Sequence, residues 1–84
     1  MKTYTIIIHD RNREPRETSG TIDQLTEYFG YTLLKGQSWE HERGNKRIDC
    51  HPKTIASLIK NLNNAENNAA MNGYSGRWYE KKEA

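Results

Sequence analysis

The chain predicts a small α+β domain: an antiparallel sheet with two helices packed on one face. Three observations carry that reading. Residues 3–9, Thr-Tyr-Thr-Ile-Ile-Ile-His, are a β-branched and aromatic run of strand composition. Thr21-Ile22-Asp23-Gln24 is a capping box at the head of a helical apolar pattern. Ile55, Leu58, Ile59, Leu62, Ala65 and Ala69 form one amphipathic stripe. Strands and helices that follow one another without βαβ alternation segregate the helices to one side of the sheet.

Each element has a local cause. The first strand is apolar on both faces at its centre, which places it inside the sheet rather than at its rim. Asp10-Arg11-Asn12-Arg13 breaks it, because Asp and Asn side chains mimic backbone turn bonds. A second strand at about 14–18 returns as a hairpin, and Pro15, which cannot donate to a ladder, assigns it to an edge. Ser19-Gly20 closes the hairpin. Ile22, Leu25, Phe29 and Leu33 then carry a helix over about 21–35, through Gly30 and on to Gly36 as its C′ residue. Residues 37–50 read either as two short strands around Arg43-Gly44-Asn45 or as a structured loop, with Trp39, Ile48 and Cys50 turned inward. Pro52 suits a first helical position, since its missing N–H is an orphan there anyway. The second helix accordingly spans about 52–72, capped by Gly73, with Lys53, Lys60, Asn61, Asn64, Asn67, Asn68 and Asn72 on its outer face. Residues 74–79 supply a last short strand, and 80–84 read as a solvated tail beyond a single domain of residues 1–79. The expected core is Ile6, Ile8, Leu25, Phe29, Leu33, Ile55, Leu58, Ile59 and Leu62.

Composition narrows the function. Ile and Leu total twelve in 84 residues, Phe occurs once and Val is absent, so the core is thin and five Tyr and two Trp must supply much of its area. The longest apolar run is Ile6-Ile7-Ile8, far short of the roughly 20 residues that span a membrane. No signal-peptide apolar region follows Met1, and Cys50 is the single cysteine, so a reducing cytoplasmic setting is expected. The net charge of +2 permits contact with nucleic acid without demanding it.

Catalytic and metal chemistry find little to stand on. His9, His41, Cys50 and His51 lack the paired spacing of zinc ligands, so no metal and no cofactor is expected. Cys50 beside His51 could form a nucleophilic pair, but no neighbour in sequence activates it. Glu40, His41 and Glu42 alternate faces on a strand and read as part of a surface ion-pair cluster with Arg43, Lys46 and Arg47. No serine sits in a Gly-x-Ser-x-Gly elbow and no Gly-Lys-Ser/Thr phosphate loop occurs. No catalytic residue is therefore assigned, and the chain is not expected to be an enzyme.

The basic residues do cluster. Arg11, Arg13 and Arg16 fall on the hairpin, Arg43, Lys46 and Arg47 on the central turn, and Arg77 at the C-terminus with Trp78 and Tyr79, where Lys81 and Lys82 add to the cluster without entering the candidate set. Arginine forks donate in pairs to phosphate or carboxylate, and exposed aromatics stack on unpaired bases. These nine residues are the candidate macromolecule-binding set. Acidic neighbours offset each cluster nearly one for one.

Ser19 to Tyr74 resembles small accessory proteins encoded in tailed-phage and prophage genomes. The residues that carry the resemblance include Gly20-Thr21, Tyr31-Thr32-Leu33, Ser38-Trp39-Glu40-His41-Glu42, Gly44-Asn45-Lys46, Pro52-Lys53-Thr54-Ile55 and Asn61-Leu62-Asn63. The resemblance implies a non-enzymatic protein that binds and inhibits a host or defence-system macromolecule, as inhibitors of CRISPR effectors do. Inhibitors that mimic DNA are strongly acidic, and at +2 this chain departs from them. The alternative is a small nucleic-acid-binding module using the hairpin arginines with Arg77 and Trp78. The edge strand and thin core leave homo-oligomerisation open.

Overall fold

A computed structural model describes residues 2–35, 48–70 and 76–82, the side chains of 68–70 excepted. It is an α+β fold whose three-stranded antiparallel sheet has the order β2-β1-β3. β1 (Tyr4–His9) is central, as its two-sided apolar character requires. β2 (Arg16–Gly20) pairs with it in the register Ile6↔Thr18, and β3 (Trp78–Lys81) pairs on the other side with Ile8↔Tyr79.

The bounds of β2 and β3 both differ from the sequence reading, and β3 begins at Trp78 rather than at residue 74. β2 starts at Arg16 rather than near residue 14, leaving Pro15 just ahead of the ladder that it cannot join. It runs through Ser19-Gly20 instead of ending before them. Gly20 is buried, and a Cβ there would meet the Gln24 side chain at 3.0–3.1 Å. The last strand reaches past Tyr79: Glu80 and Lys81 belong to β3, and the Lys82 N–H donates to the Thr5 carbonyl at 3.0 Å. Pairing with a central strand thus claims three residues that looked like tail.

α1 (Ile22–Tyr28) begins with the expected capping box. The Gln24 N–H donates to Thr21 Oγ1 at 3.2 Å, and the Thr21 N–H donates to Gln24 Oε1 at 2.9 Å. The expected single helix over 21–35 is interrupted at Phe29 (φ −95°, ψ 12°) and resumes as α2 at residues 30–35. Glycine is a poor interior helix residue, and the interruption comes immediately before Gly30. The Leu33 N–H still donates to the Phe29 carbonyl at 3.1 Å, so the apolar stripe survives and Leu25, Phe29 and Leu33 are all buried. The proposed C′ position Gly36 lies outside the described residues.

α3 (Ile55–Ala70) starts three residues later than Pro52. Thr54 is the cap: its Oγ1 accepts from the Ser57 N–H at 3.1 Å, and its carbonyl accepts from the Leu58 N–H at 3.0 Å. Pro52 is buried ahead of it. The expected extension to residue 72 and the Gly73 cap lie outside the described residues.

The core joins Ile6 and Ile8 of β1 to Leu25, Phe29, Leu33, Ile48, Ile55, Leu58, Leu62 and Ala65. Ile59, expected among them, is only partly buried and packs at its margin. Tyr79 is a core residue rather than a surface contact, meeting Phe29 edge-on with ring centroids 5.5 Å apart. No helix among the described residues is long and apolar enough to cross a membrane.

Candidate functional site

Strand alternation divides the sheet into two surfaces. Ile6, Ile8 and Tyr79 point into the core, so Thr5, Ile7 and His9 of β1, with their neighbours Glu17, Ser19, Trp78 and Glu80, share the opposite face. That face is laced by polar pairs. The Thr5 and Ser19 hydroxyls lie 2.7 Å apart, Lys82 Nζ donates to both Glu17 carboxylate oxygens (3.0 and 3.1 Å), and His9 Nε2 lies 2.9 Å from Glu80 Oε1. Trp78 stacks on His9, its cross-strand partner, with ring centroids 3.8 Å apart and planes 10° apart, yet remains 51% exposed.

The hairpin and C-terminal basic clusters do meet, at the end of β1. Asp10 is the reason: one carboxylate oxygen accepts from Arg77 Nε at 2.6 Å and the other from Arg16 at 3.0 Å. The Arg77 guanidinium, seconded by Arg16, holds the Asp10 carboxyl below its ordinary value. Gly76 (φ +65°) lets the chain pass this point. A Cβ there would lie 2.9 Å from that of Arg11, and L side chains disfavour the backbone conformation. Arg11 and Arg13 are exposed, with no ion pair to a described residue. Of the nine candidate contact residues, these two and Trp78 remain outward and available. Arg16 and Arg77 are engaged by Asp10, Tyr79 is buried, and Arg43, Lys46 and Arg47 lie outside the described residues.

The Asp10 pairing makes an acid-stability prediction. A carboxyl whose folded pKa lies below its unfolded value stabilises fully above that unfolded value, and the contribution disappears as pH falls through the folded one. Urea unfolding should therefore show wild type losing stability more steeply than Asp10→Asn as pH drops below about 4. Parallel losses in the two proteins would show that the carboxylate contributes nothing.

A cleft of about 920 Å³ opens on the other side of the molecule, where Tyr4, Ile22, Thr26, Leu33 and Leu34 face the segment Cys50–Lys53. It does bring Cys50 and His51 to one surface; His41 lies outside the described residues. Burial, and then the Asp49 carboxylate, push the Cys50 thiol above its ordinary value. An activated thiolate needs the opposite shift. Among the described residues no three His, Cys, Asp or Glu side chains gather as a metal site. Beside this cleft Leu34 is 64% exposed, and Tyr31, one turn before it on α2, is 80% exposed. Tyr28 is exposed at the end of α1.

Sequence reasoning missed the polar residues of α3 that position β3 and the segment before the helix. Asn61, assigned above to the outer face, is buried, and its Oδ1 accepts from the Asp49 N–H at 3.1 Å. Asn63 bonds both backbone groups of Tyr79. Glu66 is buried, 3.8 Å from Lys35 Nζ, and accepts from the Tyr79 hydroxyl at 3.1 Å. Burial and then the Glu66 carboxylate push the Tyr79 phenol well above its ordinary range. The available signal was a helix rich in Asn, a residue that weakens helices and so calls for a compensating tertiary bond. No family model, curated protein or solved structure matches this chain.

Proposed function

We propose that this chain is a non-enzymatic accessory protein of the phage type, acting in the host cytoplasm by gripping and inhibiting a host or defence-system protein. The observation that carries the reading is the exposed apolar group Tyr28, Tyr31 and Leu34 along α1 and α2. A chain with so few apolar residues leaves three large ones in water, on one short helical stretch. Tyrosine is a residue type from which binding hot spots are built. The charge arrangement supports a protein partner over a polyanion, since Asp10 engages two of the four arginines at the hairpin end, Arg16 and Arg77, and its carboxylate offsets one of their charges.

A nucleic-acid module is the second reading, favoured by one observation: Trp78, stacked on His9 and half exposed, opens β3 directly after Arg77 and two residues after Gly76, which lies against the outward Arg11. The two readings separate cleanly. Immobilised protein should retain one stoichiometric protein from a nuclease-treated lysate of a tailed-phage host, and the exposed-site double variant Tyr31→Ala/Leu34→Ala should lose it while keeping its unfolding midpoint. Retention that ignores the double variant counts against the helix surface. A gel shift with DNA or RNA at low salt that fades as salt rises, together with no retained protein, transfers the function to the second reading.

A further inference from the structure

The two edges of the sheet are finished differently. On β3 the Tyr79 backbone facing away from β1 is taken up by a side chain of α3. The Tyr79 N–H donates to Asn63 Oδ1 at 2.8 Å, and Asn63 Nδ2 donates to the Tyr79 carbonyl at 3.0 Å. An amide thus stands where a further strand would pair.

β2 carries no equivalent block among the described residues. The Lys82 N–H donates to the Thr5 carbonyl, so Thr5 and Ile7 direct their backbone groups toward β3, and Tyr4, Ile6 and Ile8 direct theirs toward β2. The β2 partners of those three are Gly20, Thr18 and Arg16. Glu17 and Ser19 therefore turn two N–H and two C=O groups outward. Charged side chains usually guard such an edge. Here they are drawn back over the molecule, Arg16 to Asp10 at 3.0 Å and Glu17 across the sheet to Lys82 at 3.0 Å. What remains at the edge is Thr18, Ser19 and Gly20, small and uncharged.

We propose that a second copy of this chain adds antiparallel to β2, with the two-fold axis at Thr18, so that two three-stranded sheets become one. This register sets Glu17 opposite Ser19 of the second copy, and the reverse, so the outward groups exchange four hydrogen bonds. Arg16 lies opposite Gly20, and no like charges face each other. An axis at Glu17 would oppose two carboxylates, and an axis at Ser19 would carry Arg16 and Glu17 beyond the paired region. The surface is separate from the α1–α2 group above and stands or falls independently of it.

Sedimentation should show a species of twice the 9.8 kDa chain mass that dissociates on dilution. Ser19→Pro removes an outward N–H without touching the β1 ladder and should give a monomer, whereas Ser19→Ala keeps the N–H and should stay dimeric. In a Cys50→Ala background, Thr18→Cys places two thiols across the axis, with Cα atoms about 4.5 Å apart and within disulfide reach. It should cross-link under mild oxidation, and Ser19→Cys, offset from its own copy, should not. That cysteine pair decides the register even if the proline variant fails to fold. Wild-type monomer at every concentration up to about 1 mM, equal cross-linking at both cysteines, or a dimer that survives in folded Ser19→Pro each overturns the proposal.

Discussion

Truncating Leu58 to alanine should cost about 2–5 kcal/mol, the range for a large buried aliphatic side chain whose site cannot collapse. Leu58 has no exposed surface and sits with Ile6, Leu25, Leu62 and Ala65 in the core formed by the described residues. The lost volume has few neighbours to refill it, because the sequence has only thirteen Ile, Leu and Phe residues and no Val. A chain of this size has a total stability of roughly 4–13 kcal/mol. The variant should therefore be substantially unfolded near the lower end of that range, and its urea midpoint should fall far below that of wild type. Lys60→Ala, two residues on and exposed, should stay within about 0.5 kcal/mol. A loss under 1 kcal/mol at Leu58 would mean that α3 presents a different face to the sheet.

The parts of this fold that could be read in advance are those fixed by local chemistry. The Thr21–Gln24 box needs only four consecutive residues, and the α3 stripe needs only its own period, so both are legible. The central position of β1 follows from three adjacent isoleucines. Boundaries fail where a distant partner decides them. Glu80 and Lys81 become strand because β1 lies beside them, and nothing within five charged and small residues announces that. Thr54 outranks Pro52 as a helix start because its hydroxyl finds the Ser57 N–H. The candidate site shows the same division. Clustering of hairpin and C-terminal arginines was readable as charge, but Asp10 sits between Arg16 and Arg77 only after β3 has docked, 67 residues from the hairpin. Arg77 therefore reads in sequence as a ligand-facing cation and serves in the fold as a partner of Asp10. Tyr28, Tyr31 and Leu34 were not separable from core by composition, since only the Phe29 interruption and the side on which the sheet lies distinguish them.

The dependence of β3 on one amide gives the second large effect. Asn63→Ala removes a donor and an acceptor at once, leaving the partly buried Tyr79 N–H and carbonyl without their partner. Each orphaned backbone group costs about 1–3 kcal/mol, so the two together cost about 2–6 kcal/mol. Alanine is the better helix residue by up to about 0.7 kcal/mol, and that gain works against the loss. Asn67→Ala on the same helix is exposed and carries the same propensity gain, so the difference between the two variants isolates the clamp. Asn63→Asp sharpens the comparison. The carboxylate can still accept from the Tyr79 N–H but turns an oxygen toward the Tyr79 carbonyl, so it should be no better than alanine. Detachment should also be visible locally: β3 holds Trp78 on His9, and the two Asn63 variants should exchange the amide protons of 78–81 faster than Asn67→Ala does. Equal stabilities at positions 63 and 67 would show that pairing with β1 alone holds β3, and that the amide is incidental.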